Sequence, residues 1–141
     1  MGEPFVHRLR VRYDECDAQR VVFNAHYLAF LDHGLTELWR EAFGGYAAMT
    51  ERGVDVVVAE SELRFRAPAR FDEELDLSLA VAHLGTTSMT LEETITRAAD
   101  GTRVLEARMR YVWIETGSGA KTAIPGWARD GLARYAAAAG E

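Results

Sequence analysis

Leu28, Leu31, Leu35, Leu38, Trp39 and Ala42 recur at spacings of three and four residues, the period of one face of an α-helix. The spacing predicts a helix running to about Phe43. Gly44-Gly45 follows as its stop signal, because glycine accepts the left-handed conformation in which helices commonly end. A long helix with bulky apolar groups along one side must be covered by a broad surface. The rest of the chain has to supply it.

Strand patterns on both sides of the helix meet that need. Phe5 to Tyr13 alternates unevenly between an apolar and a basic face, as a half-buried strand does. Val54 to Phe65 reads as a second strand, and Leu75, Leu77, Leu79 and Val81 fall on alternate positions of a third. After a turn at Gly85-Thr86-Thr87, Met89, Leu91 and Ile95 share one parity. Asp100-Gly101 is a hairpin signal before Val104 to Ile114, where Leu105, Ala107, Met109, Tyr111 and Trp113 share a face. Pro125 is expected to open a short closing helix through Tyr135, and Ala136 to Ala139 to form a fraying helical tail. The expected class is α+β. One long central helix is wrapped by one curved antiparallel sheet of about five strands, in a single domain over residues 1–141.

Composition narrows the partners. The 22 acidic and 16 basic residues include no dense cationic block, which argues against nucleic acid. No apolar run reaches the roughly 18 residues of a membrane span, and no secretory leader pattern opens the chain. Cys16 is the only cysteine, so no intrachain disulfide can form, and a cytoplasmic protein is expected. His7, His26, His33 and His83 lack metal-ligand spacing. No metal and no cofactor are therefore expected.

The chemistry concentrates just before the long helix. Asp14-Glu15-Cys16-Asp17-Ala18-Gln19-Arg20 forms a polar loop, and Val21-Val22-Phe23 leads into Asn24-Ala25-His26-Tyr27. Asn24 reads as the helix N-cap. A helix start offers unpaired N–H donors and a positive dipole end, suited to a developing oxyanion. A carboxylate facing those donors across an acyl carbon would make a hydrolytic site.

Three segments carry a family resemblance: Tyr13-Asp14-Glu15-Cys16-Asp17 with Val21 to Leu28 and Phe30-Leu31-Asp32; Phe65 to Leu75; and Leu84 to Glu92. In this order and spacing the chain resembles the hotdog-fold acyl-CoA thioesterases of the 4-hydroxybenzoyl-CoA thioesterase type. The resemblance implies a catalytic carboxylate at Asp17 and a carbonyl-polarising backbone N–H at Asn24. It also implies an acyl-CoA or acyl-carrier-protein substrate, and a homodimer, or homotetramer, with the site at the subunit interface. Val22, Phe23, His26 and Tyr27 are the substrate-binding candidates. Arg20 stands where the family commonly has a small residue, and Leu84-Gly85-Thr86-Thr87 lacks the basic cluster of the 4-hydroxybenzoyl branch.

Each candidate has a plainer explanation. Asp17 can cap its own loop, and Asn24 can be only a cap. His26 can be a surface or interface histidine, and Tyr27 and Phe30 can be core or pocket wall. Asp32, Glu37 and Glu41 can be solvated helix charge, although another hotdog branch uses a helix carboxylate. Cys16 reads as a small buried thiol, since no histidine is placed to activate it. The leading expectation is thioester hydrolysis, with Asp17 as general base or nucleophile. A hydratase-dehydratase, for which His26 would have to pair with a carboxylate, and a non-catalytic acyl-ligand binder are the alternatives.

Overall fold

The helix predicted from the apolar spacing is α1, His26–Phe43, in a computed structural model that describes residues 2–137. Gly44 ends it at φ 88°, and the Gly44 and Gly45 N–H groups donate to the carbonyls of Arg40 and Trp39. These are the bonds that otherwise-orphaned terminal carbonyls require. The buried side of α1 is Tyr27, Phe30, Leu31, Gly34, Leu35, Leu38 and Trp39. Leu28, expected on that face, is instead 44% exposed. Tyr27 and Leu31 point inward, and Leu28, a hundred degrees or so round the helix from Tyr27, faces a groove on the flank.

The sheet has five strands: β1 Phe5–Arg10, β2 Val54–Phe65, β3 Glu74–Leu84, β4 Ser88–Arg97 and β5 Arg103–Glu115. Their order is β1-β3-β4-β5-β2, with every neighbouring pair antiparallel. The class is α+β, and β3, β4 and β5 form the expected meander. Leu75, Leu77 and Leu79 of β3, Leu91 and Ile95 of β4, and Leu105 and Trp113 of β5 are fully or almost fully buried. Each such side chain contributes roughly 2 kcal/mol by leaving water. Gly34 lets α1 settle closely on β3. A methyl group there would stand 3.1 Å from Leu79 Cδ1. Trp39 meets Trp113 edge-on at 6.0 Å between ring centroids.

Several sequence expectations are corrected. The first strand stops at Arg10, and Tyr13–Glu15 is a 3-10 turn. The Glu15 carboxylate accepts the Arg12 N–H at 2.7 Å, a local bond that competes with continuing the ladder. A six-residue helix α2, Tyr46–Glu51, was not foreseen, being too short to show a period. It buries Met49. The closing helix α3 is Gly126–Ala133, with Pro125 at its N-cap position, and so ends short of Tyr135. Ala136 bridges Val81 in parallel and Ala137 N–H donates to the Val81 carbonyl, so this stretch extends β3's pairing rather than continuing a helix. The remainder of the expected tail, 138–139, lies outside the described residues. Among the described residues no helix is long and apolar enough to cross a membrane.

Candidate active site

Between β1 and α1 the chain closes a small polar loop. Cys16 and Val22 form an isolated antiparallel bridge, and inside it Asp17 N–H donates to the Val21 carbonyl at 3.0 Å. The Asp17 carbonyl accepts Arg20 N–H at 2.9 Å, and Asp17 Oδ1 accepts Gln19 N–H at 2.8 Å. Aspartate suits this place because its short side chain reaches a backbone N–H two residues on. Arg20 sits at φ 65°, the left-handed region that a glycine would hold more easily. The loop is therefore closed around Asp17 at the cost of one strained residue.

The plain loop-capping reading of Asp17 thus holds for one carboxylate oxygen. Among the described residues the other, Oδ2, has no hydrogen-bond partner. Asp17 lines a cavity of about 360 Å³ together with Gln19, Val22, Asn24, Tyr27, Phe65 and Arg66. The backbone anchors of the wall are well fixed. Val22 N–H donates to the Ala69 carbonyl at 2.8 Å and Phe23 N–H to that of Glu15 at 3.0 Å. Tyr27 is buried, its ring edge-on to Phe30 and Phe65, and its hydroxyl accepts Ala69 N–H at 3.4 Å. Burial pushes the Tyr27 hydroxyl pKa up. The phenol stays neutral and serves as wall.

Asn24 is not the helix N-cap. That position belongs to Ala25, which is already in the right-handed helical region, and no side chain caps the end. The reason is a turn ahead of the helix: His26 N–H donates to the Phe23 carbonyl at 2.8 Å, so the chain has begun to coil before Asn24 can adopt the extended backbone of a cap. Among the described residues the Asn24 backbone N–H has no backbone acceptor. Asn24, its backbone N–H thus without a backbone partner, lines the cavity that also holds Asp17.

Of the sequence candidates, Asp17, Val22, Asn24 and Tyr27 come together here, whereas Phe23 and His26 are not in the lining. Phe23 is exposed, and the His26 ring packs edge-on to Phe30. Phe30 itself is core. Cys16 is half-buried, and desolvation, aided by Glu15, Asp17 and Asp14, pushes its thiol pKa up, away from nucleophile chemistry. Glu37 pairs with Arg40 at 3.3 Å and Glu41 lies near Arg134, so both are helix-surface charge. Among the described residues no cluster of three or more His, Cys, Asp or Glu could hold a metal ion.

Sequence reasoning missed three residues. Phe65 and Arg66 come from the far end of β2 and the turn beyond it, and only folding brings them opposite Asp17. Glu93 was also missed. It shares the parity of Met89, Leu91 and Ile95, and that position in an otherwise apolar row was the available signal.

A loop carboxylate and a backbone amide at a helix entrance line one partly apolar cavity on an α+β scaffold. The profile of the Thioesterase-like superfamily matches residues 11–132. The acyl-CoA thioester hydrolase YbgC of Escherichia coli is 33% identical over 108 residues, covering 76% of this chain and 79% of that protein. A hypothetical protein of Thermus thermophilus superposes with a TM-score of 0.81 at 30% identity, over 92% of this chain and 98% of that one. The dynemicin thioesterase has the same fold, with a TM-score of 0.87 at 23% identity over 97% and 100% of the two chains. The chain belongs to the Thioesterase-like superfamily. The enzyme class expected from its residues, thioester hydrolase, stands.

Proposed function

We propose that the protein hydrolyses acyl-CoA or acyl-carrier-protein thioesters to the free acid and thiol in the cavity bounded by Asp17 and Asn24. The observation that carries this reading is the pairing, on one cavity wall, of a carboxylate with one uncommitted oxygen and a backbone N–H with no acceptor. The thioester carbonyl oxygen accepts the Asn24 N–H, and that bond strengthens as negative charge develops on the oxygen. Asp17 Oδ2 takes a proton from water as the water oxygen bonds to the carbonyl carbon. The tetrahedral intermediate collapses with departure of the thiolate, which recovers a proton. In direct attack Oδ2 bonds to the carbonyl carbon as the thiolate leaves, and water then opens the anhydride at the Asp17 carbon, so that the acid product carries a former Asp17 oxygen.

The architecture proposed for this work is the hotdog arrangement, with α1 as its central helix and a second copy of the chain completing the site. Two features support the pairing: β2 is an edge strand, and its Val57, Val58 and Phe65 are exposed. An unpaired apolar edge is a template for another strand. A further pairing to a tetramer, and a cytoplasmic setting for a chain with one free thiol, belong to the same reading. Val22 and Tyr27 wall the acyl carbon, and Phe23 and His26 contribute from the rim of the assembled dimer.

The test is single-turnover hydrolysis in heavy-oxygen water together with thiol release over short, long, branched and aromatic acyl-CoAs. Heavy oxygen appearing first in the acid product supports the general-base route, and its appearance first in Asp17 supports the anhydride. Absence of thiol release from the whole panel overturns the reading.

A further inference from the structure

Glu93 is a fully buried carboxyl, the environment in which such a group costs most. It is wholly buried on β4 beneath α1, and its Oε1 has no hydrogen-bond partner. A buried carboxyl without full pairing destabilises a fold, so its presence asks for a compensating use. Its one bond is to the Tyr111 hydroxyl, which lies 3.2 Å from Glu93 Oε2. Tyr111 in turn lines a cavity of about 410 Å³ with Leu28, Ala29, Asp32, Val58, Ser61 and Met109.

That cavity and the Asp17 site both take lining residues from α1 and β2. Along the seam between α1 and β2 the Asp17 cavity takes Tyr27 and Phe65, and the next takes Leu28, Asp32 and Val58. The two strand residues descend β2 as the helix residues ascend α1. The helix rise puts Asp32 about 12 Å along the axis from Asn24, a distance an acyl chain can span. The exposed Leu28 and Val58 supply apolar walls on either side. An acyl chain fixed at its carbonyl beside Asn24 would run along this seam and end at Asp32 and Tyr111.

Besides the Ser61 hydroxyl, which can donate or accept, what the cavity offers that end is acceptors. The Tyr111 hydrogen is committed to Glu93, so its oxygen presents lone pairs, and Asp32 adds a carboxylate. The lining contains no cationic side chain. Resting on the thioesterase reading, we propose that Asp32 and Tyr111 form a distal acyl subsite for a chain ending in a protonated amine, with Glu93 as the positioning residue that orients the Tyr111 hydroxyl. Asp32 also raises the proton affinity of both Glu93 and Tyr111, in accord with their proximity.

The experiment compares ω-aminoacyl-CoAs, ω-hydroxyacyl-CoAs and straight acyl-CoAs in which a methyl group replaces the terminal donor, across a chain-length series. At the length that reaches Asp32, KM for the amine is expected at least fivefold below that of its methyl isostere. Glu93→Leu should abolish that ratio by raising KM for the amine while kcat holds. Glu93→Gln, whose carboxamide oxygen still accepts from Tyr111, should restore it. A purely structural role would move both substrates together. Tyr111→Phe, which keeps the ring, repeats the test if Glu93→Leu fails to fold. Equal KM values for amine and methyl chains at every length, or a preference for hydroxyl over amine, overturn the subsite. Thiol release without discrimination leaves the thioesterase reading intact, whereas no release from any member sinks that reading first.

Discussion

Asp17 and Glu93 are both carboxylic acids set near α1, and their surroundings give them opposite characters. Asp17 lies on a half-exposed loop, one oxygen fixed by Gln19 N–H and the other open to the cavity. Glu93 has no exposure, one bond to Tyr111, and a pKa that burial first, and then the Asp32 charge, push up to about 8. The same functional group lines an open cavity in one place and is a neutral, buried acid in the other. Residue type names the chemistry, but solvation decides which form is present.

The sharpest way to break this contrast is Asp17→Asn. The carboxamide oxygen can still accept Gln19 N–H, so thermal stability should hold within a few degrees. Thiol release should fall about a thousandfold, within the range typical of a lost general base. Near-normal turnover would remove Asp17 from the chemistry.

Glu93 sets the next effect. Its folded pKa lies above the unfolded value of 4.5, so the native state binds a proton that the unfolded chain has released. Stability should therefore fall as pH rises, by about 1.4 kcal/mol per pH unit, through the window from 4.5 to about 8, and level off above it. Urea unfolding across that window should show the decline in the native protein and lose it in Glu93→Gln. The variant should be the more stable protein at pH 8. A decline that persists in Glu93→Gln would place the titration elsewhere.

Two smaller effects test the loop itself. Arg20→Gly should relieve the left-handed strain at φ 65° and, after the unfolded-state cost of glycine, stabilise by about 0.5–1 kcal/mol. Chemical denaturation measures it, and a loss of stability would mean that the Arg20 side chain holds the loop. Asn24→Ala should change kcat less than about threefold, since the proposed donor is backbone and the side chain caps nothing. A larger drop would transfer the role to the carboxamide.

Periodicity carried the long elements. The three-and-four spacing from Leu28 to Ala42 located α1, and alternation located β2 to β5 close to their observed limits. It failed where a local bond outweighed a pattern: at Arg12, where Glu15 draws the chain into a turn, and at Asn24, where a turn closing on Phe23 displaces the cap. It failed again for α2, whose length is below two turns. At the site, Asp17, Val22, Asn24 and Tyr27 were legible because they are close in sequence. Phe65 and Arg66 were not, because they lie far along the chain, at the end of β2 and just beyond it.

By itself the sequence determined one helix, its covering strands and a loop acid next to the helix start, since each of these depends on neighbours a few positions away. Only the tertiary structure decided that β2 would be an edge, that a seam would lie open between it and α1, and that Glu93 would have no water around it. Those outcomes depend on which surfaces meet at long range. A one-dimensional pattern carries parity and spacing, but not the distance between strands that pair through the whole sheet.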